Sequence, residues 1–151
     1  MHSRGYVHKD IHPGNVFVSQ TIDRMVPIKD PVWSFKVGDL GISRLESDIN
    51  IFGTTLAQWM LPPEAIDPNQ FGPVSRQTDI YHVGLLLLAV MLNRIPSFSR
   101  DDVLAGLPRQ IAETHQSSYG PVISRALRRH TAQRTQGALQ FWREVQGVLR
   151  V

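Results

Sequence analysis

Apolar positions along the chain change their spacing from one region to the next. Near the start, Val16-Phe17-Val18 follows Pro13-Gly14 and Phe35-Lys36-Val37 ends at Gly38, two β-rich runs bounded by turn formers. Between them Ser19–Ser34 is polar and carries Pro27 and Pro31, which predicts a short strand pair joined by a long exposed insertion. Residues 42–74 contain Pro62, Pro63, Pro68 and Pro73 with little periodicity, and read as an extended loop with at most a short helix.

Helical spacing takes over after that. Ser75 or Thr78 caps a helix that runs through Leu92 and stops at Asn93, with Pro96 forbidding continuation. Ser99 and Asp102 form a capping-box pattern opening a short helix to Gly106. Pro121 suits the first turn of another, with Val122, Ile123, Ala126 and Leu127 on one side. Ala138, Phe141, Trp142, Val145, Val148 and Leu149 predict a last helix, with Phe141 and Trp142 in the core. The fold class is mainly α with a small β-hairpin.

Composition narrows the function. At 151 residues, 42% hydrophobic and 19% charged, the chain is globular rather than disordered and long enough to bury a core. It has no cysteine, which excludes disulfides, thiolate-bound zinc, iron–sulfur clusters and thiol catalysis. Met1–Val7 lacks the apolar run of a signal peptide, and the thirteen residues Ile80–Leu92 are too few to span a bilayer. The expectation is a cytoplasmic domain with no membrane partner. Residues 94–151 carry nine arginines against four acids, whereas residues 1–93 are slightly acidic. Arg125, Arg128, Arg129 and Arg134 spread around a helix with no interleaved aromatic, so they predict a solvated face plus one structural Arg rather than a nucleic-acid surface.

The chemistry concentrates in Tyr6-Val7-His8-Lys9-Asp10-Ile11-His12-Pro13-Gly14-Asn15. An Asp followed five residues later by Asn, in a Pro-Gly loop leading into a strand, suits magnesium phosphate chemistry. Asp10 is placed to orient a hydroxyl proton, Asn15 to offer a hard oxygen to Mg²⁺. The second acidic loop, Val37-Gly38-Asp39-Leu40-Gly41, offers Asp39 to the same metal, and Gly41 frees the backbone to turn. Read alone, His8, Asp10 and His12 also form an H-x-D-x-H pattern compatible with a metal triad.

These loops resemble the catalytic and metal-binding loops of eukaryotic-like Ser/Thr protein kinases, H-R-D-x-x-x-x-N and D-F-G. The resemblance continues in order through Leu61-Pro62-Pro63-Glu64-Ala65 (the A-P-E segment), the helix opening at Thr78-Asp79, the turn Asn93–Phe98, and Arg134. It implies a C-terminal kinase lobe over 1–151: catalytic loop at 6–18, insertion at 19–34, metal-binding loop and activation segment at 37–64, helical subdomain at 76–151. It implies that Asp10 is the catalytic Asp, with Lys9 and His12 beside it, and that Asn15 and Asp39 are Mg²⁺ ligands for ATP. His8 and Leu40 would stack in a hydrophobic spine, Asp79 would anchor the catalytic loop, and Glu64 and Arg134 would form a buried ion pair. The implied partner is a protein bearing a Ser or Thr hydroxyl.

Several positions depart from the family pattern. Lys9 replaces Arg and loses the planar fork that grips a phosphorylated loop. His12 stands where a phosphate-contacting Lys is usual, making that contact weaker and pH-dependent. Gly53-Thr54-Thr55 lies about three residues too far from the A-P-E segment to assign the substrate-contacting Thr. Most importantly, no G-x-G occurs anywhere, so the phosphate cradle of the N-terminal lobe is not in these residues. The expectation is a C-lobe inactive alone, its N-lobe encoded upstream or supplied in trans. Two other readings stay open: a non-catalytic binding module, and a small-molecule phosphotransferase of the aminoglycoside or choline kinase type, which His12 suits better.

Overall fold

The structure, a computed structural model, describes residues 1–22, 31–48 and 61–149. Two antiparallel pairings come first. β1 (Tyr6–Val7) pairs with β4 (Arg44–Leu45), while β2 (Val16–Ile22) pairs with β3 (Pro31–Val37), running from Val16 opposite Val37 to Ile22 opposite Pro31. A 3₁₀ turn, Pro13–Asn15, separates β1 from β2.

The hairpin is longer than the apolar runs predict. Ser19–Ile22 and Pro31–Ser34, expected as insertion, continue the ladder. A hairpin projecting from the protein needs cross-strand pairing but no buried face, so polar residues do not stop it. Pro31 is tolerated because it sits at the first position of its strand.

The region after residue 60 is helical sooner than expected. α1 (Pro63–Ile66) and α2 (Pro68–Phe71) each begin on a proline, which here starts a helix rather than forbidding one. The Asp67 carboxylate caps α2 by accepting the Gln70 N–H at 3.1 Å. α3 (Arg76–Met91) opens with Ser75 as N-cap, its N–H donating to the Thr78 hydroxyl at 3.1 Å, so both predicted capping residues take part. Asn93 adopts the left-handed conformation just beyond the end (φ 51°). α4 (Arg100–Ala105) carries the predicted Ser99–Asp102 capping box, and Gly106 ends it at φ 82°. α5 (Leu107–Thr114) follows directly, a helix the pattern did not reveal; α6 (Gly120–Ala126) and α7 (Ala138–Val148) match the prediction.

The core is built around α3. Tyr81, Leu85 and Leu88 pack with Ala112, Ile123 and Leu127, while Ile80 packs with Val122, Ala126 and Phe141. Serving two clusters requires apolar residues around most of the helix, which is why the run 80–92 shows so little amphipathic alternation. Gly84 is where α3 and α6 approach: a Cβ there would stand 3.0 Å from Leu127 and 3.1 Å from Ala126. Trp142 is a correction. It is 56% exposed, whereas Phe141 is buried, because α7 turns a narrow face inward.

A buried ionic cluster ties the helices together. Arg134 donates from Nη1 to Glu64 Oε1 at 2.7 Å and from Nη2 to Oε2 at 2.9 Å, with both side chains fully buried. Its remaining N–H groups reach the carbonyls of Arg128, Gln77 and Arg129, so all five donors are used. The Thr78 hydroxyl donates to Glu64 Oε1 at 2.9 Å, and the guanidinium lies 4.8 Å from the Tyr81 ring centroid. Burial among these groups holds the Tyr81 phenol well above its usual ionisation range. The other arginines are less free than predicted: Arg129 donates to the Leu104 carbonyl, Arg128 to that of Gln133, and Arg125 to Glu144.

Removing one member of the pair leaves the other as an uncompensated buried charge. Glu64→Ala is expected to lower stability by about 3–5 kcal/mol. Adding Arg134→Met should recover part of that loss, as urea denaturation across the double-mutant cycle will read.

Candidate active site

The loop between β1 and β2 is held from below by one carboxylate. Asp79, in the first turn of α3 and 1% exposed, accepts the His8 N–H on Oδ2 and the Lys9 N–H on Oδ1, both at 2.8 Å. His2 Nε2 donates to the same Oδ2 at 2.7 Å. The two amides point at one carboxylate because Lys9 is left-handed (φ 69°), a conformation costing roughly 1–2 kcal/mol for a residue with a side chain. Such strain persists where surrounding bonds over-determine it, and Asp79 supplies them. The anchoring role expected of Asp79 is thus given a geometry. His2 carries no signal in the sequence pattern, since its partner lies 77 residues away.

His8 joins the two loops. Its Nδ1 accepts the Asp10 N–H at 3.3 Å and its Nε2 donates to the Gly38 carbonyl at 3.0 Å, so the ring is buried with both nitrogens used. That disposes of His8 as a ligand in a metal triad. A second tie is the Gly38 N–H, which donates to the Asn15 carbonyl at 2.9 Å. Asp39 therefore follows immediately on a residue bonded to both His8 and Asn15.

Asn15 closes the first loop. Its Nδ2 donates to the Asp10 carbonyl at 2.9 Å and to Asp10 Oδ2 at 3.1 Å. Asp10 Oδ1 accepts no hydrogen bond although it is buried; His12 Nε2 stands 3.5 Å from it. His12 presents that nitrogen because its Nδ1 accepts the Gly14 N–H at 3.1 Å, capping the 3₁₀ turn. The loop thus holds a carboxylate with one oxygen fixed by Asn15 and the other buried against His12.

Asp39 is exposed and left-handed (φ 58°), and its Oδ1 accepts the Gly41 N–H at 3.1 Å. The turn's unusual dihedral falls on Asp39 rather than on Gly41, a correction to the sequence reading; Asp tolerates it through this local bond. What Gly41 provides is room, since a Cβ there would sit 3.1 Å from Asp39 Oδ1. Leu40 is 60% exposed and lines a hollow together with His8, Tyr6 and Val37. Gly53, Thr54 and Thr55 lie outside the described residues.

Lys9 is buried behind this loop. Its ammonium is pushed below the ordinary lysine value of 10.5, first by burial and then by the neighbouring Arg44 guanidinium, against a smaller upward pull from Asp79. No group of three or more His, Cys, Asp or Glu able to hold a metal is found among the described residues, and none of their helices is long and apolar enough to cross a membrane.

These features converge with the comparisons to known proteins. Residues 1–143 match the protein kinase domain family, and the chain belongs to it. It is 27% identical over 132 residues to a probable serine/threonine-protein kinase PknB of Lactococcus lactis, covering 83% of this chain and 18% of that protein. It is 29% identical over 137 residues to the serine/threonine-protein kinase PkaA of Streptomyces coelicolor, covering 85% and 23%. A Raf homolog serine/threonine-protein kinase of Caenorhabditis elegans is 24% identical over 114 residues, covering 69% and 13%. The chain spans less than a quarter of the length of each of these relatives.

Two outcomes follow from the loop's support. Asp79→Asn removes one of two amide acceptors, and should speed hydrogen exchange at the His8 and Lys9 amides by at least about tenfold, the effect of losing one net hydrogen bond to a charged group. For Lys9, the unfolded chain binds its proton up to the ordinary value, whereas the folded chain releases it lower. The destabilisation is therefore full below the lowered value, fades as pH rises, and is gone above 10.5. Stability measured by denaturant titration should rise with pH through that alkaline window relative to Lys9→Met.

Proposed function

We propose that this chain is the catalytic C-terminal lobe of a Ser/Thr protein kinase, acting on the hydroxyl of a protein substrate with Mg²⁺ and ATP. The observation that carries the reading is Asp10: its Oδ2 is pinned by Asn15 while its buried Oδ1 accepts no hydrogen bond. A substrate hydroxyl that took the place of His12 at Oδ1 would be oriented for attack and would pass its proton there as the new oxygen–phosphorus bond forms. His12 Nε2, 3.5 Å from the same oxygen, is placed to steady a phosphoryl oxygen or the carboxylate.

The residues fit magnesium better than a more demanding metal. Asn15 has spent its amide nitrogen on Asp10, leaving Oδ1 as a hard donor, and Asp39 adds a carboxylate. Two protein oxygens are a usual complement for Mg²⁺, which keeps several waters and binds largely through substrate phosphates. When bound, Mg²⁺–ATP supplies the phosphoryl group and neutralises its charge. At this end of the site the chain's own work is to orient the hydroxyl, accept its proton and offer the two oxygens.

The phosphate cradle is a different matter, because no G-x-G lies anywhere in the 151 residues. Phosphoryl transfer depends almost wholly on positioning and charge stabilisation. The lobe is therefore proposed to work with a nucleotide-clamping unit that completes it in the same polypeptide or in trans. The relatives are all named as serine/threonine kinases, which favours a protein substrate over the small-molecule alternative.

Mn²⁺ replacing Mg²⁺ in the presence of ATP should broaden the NMR resonances of Asn15 and Asp39, and Asp39→Asn should abolish the effect. Absence of broadening in these two loops overturns the metal assignment. Purified alone, the 151-residue chain should transfer no measurable γ-phosphate to a generic Ser/Thr substrate; robust transfer would falsify the need for a second unit.

A further inference from the structure

The β2–β3 hairpin has an outer edge that no described residue uses. Val16 stands opposite Val37, and one step outside that pair the Gly38 N–H donates to the Asn15 carbonyl at 2.9 Å. This bond makes Val16–Val37 a non-hydrogen-bonded pair, and in an antiparallel ladder the two kinds of pair alternate. Phe17, Ser19 and Thr21 therefore turn their backbone groups toward β3, whereas the N–H and C=O groups of Val18, Gln20 and Ile22 point away from it. Among the described residues no hydrogen bond reaches those outward groups, and no helix packs extensively on the hairpin. Phe17, Val18, Ser19 and Gln20 are all exposed.

The two outer edges of the hairpin are not equally guarded. β3 begins on Pro31, which lacks an N–H at an outward position, and it carries Lys36; prolines and lysines of this kind keep an edge strand from pairing. β2, by contrast, runs from Val16 to Ile22 without a charge, a proline or a glycine, the composition of a strand prone to pair.

We infer that β2 pairs with β2 of a second copy, antiparallel about a two-fold axis, joining the two hairpins in one four-stranded sheet of order β3-β2-β2-β3. The occupant is selected by matching chemistry. A strand that satisfies this edge must be extended and uncharged, and β2 is itself such a strand, already held extended by β3. With no charge on either strand, two copies meet without like-charge repulsion. Outward groups must face outward groups, so even-numbered residues stand opposite even-numbered ones. The contact uses the same patch on both copies and closes at a dimer, because the edges left over are the guarded ones of β3. An edge from Val18 to Ile22 is about 17 Å long. It buries less than the ~1,200 Å² at which standard interfaces begin, so the dimer is weak, forming in the range of roughly 10–100 µM. This association is independent of phosphoryl transfer.

Sedimentation equilibrium of the 151-residue chain reads the association directly. Between about 5 and about 500 µM the mass is expected to rise from 17.1 kDa toward twice that value. Hydrogen exchange followed by NMR identifies the strand. The Val18, Gln20 and Ile22 amides should slow about tenfold once roughly nine in ten chains are paired, while those of Phe17, Ser19 and Thr21, already bonded to β3, should not change. Gln20→Pro removes only an outward N–H, which edge strands tolerate, and should leave a monomer that keeps its β2–β3 cross-strand contacts. Gln20→Lys brings like charges together near the two-fold axis and should weaken association about fivefold; mixing it with Gln20→Glu should restore pairing in a heterodimer. Gln20 is exposed, so this charge swap spares the hairpin even where the proline disturbs it. A mass of 17.1 kDa at every concentration overturns the proposal. So does a dimer whose even-numbered amides exchange as in the monomer, or one that neither Gln20→Pro nor Gln20→Lys weakens, since its interface lies elsewhere. Growth beyond a dimer overturns it too, because that requires the edge of β3.

Discussion

Everything at the candidate site is referred to one buried carboxylate. Asp79 takes the amides of His8 and Lys9 on its two oxygens, and because it sits on α3 it transfers the rigidity of the helical core to a loop with no regular structure of its own. From there the order propagates by short bonds. His8 reaches Gly38, Gly38 reaches the Asn15 backbone, and the Asn15 side chain reaches Asp10. A charged acceptor with amide donors is stronger than a neutral bond, and burial spares it competition from water. The left-handed Lys9 is the strain this arrangement sustains.

The second organising element is the ion pair of Glu64 and Arg134. Taking two charges out of water is expensive, and hydrophobic residues of equal volume would often stabilise as well. Here every guanidinium donor finds an acceptor, and those acceptors come from α1, the start of α3 and the segment after α6. The pair therefore fixes how several backbone segments meet at one point. Apolar packing, which is indifferent to orientation, does not specify that.

The site is well supported from the helical side and, among the described residues, little covered on the other. Phe17, Trp33, Phe35 and Leu40 are all more than half exposed. The described residues thus provide acceptor chemistry without excluding water, and phosphoryl transfer gains from exclusion.

Much of this was legible before any coordinates. Local signals are short-range physics: a Ser-x-x-Asp cap, an Asn able to go left-handed, a proline that begins or forbids a helix. These predicted α3, α4, α6 and α7 together with the Asp10–Asn15 loop. Where sequence reasoning failed, the deciding contact was distant or absent. Trp142 and Phe141 are neighbours with the same apolar character, and only the packing of α7 against α3 and α6 chose which one is buried. His2 carries no spacing signal toward Asp79, and the hairpin outgrew its apolar runs because a ladder needs no core. The sequence by itself determined the residue types, the order of the landmarks and hence the family. Tertiary structure decided which oxygen of Asp10 is held by Asn15 and which nitrogen of His12 faces the other. Those choices depend on bonds closed by the folded backbone, and residue identity does not encode them.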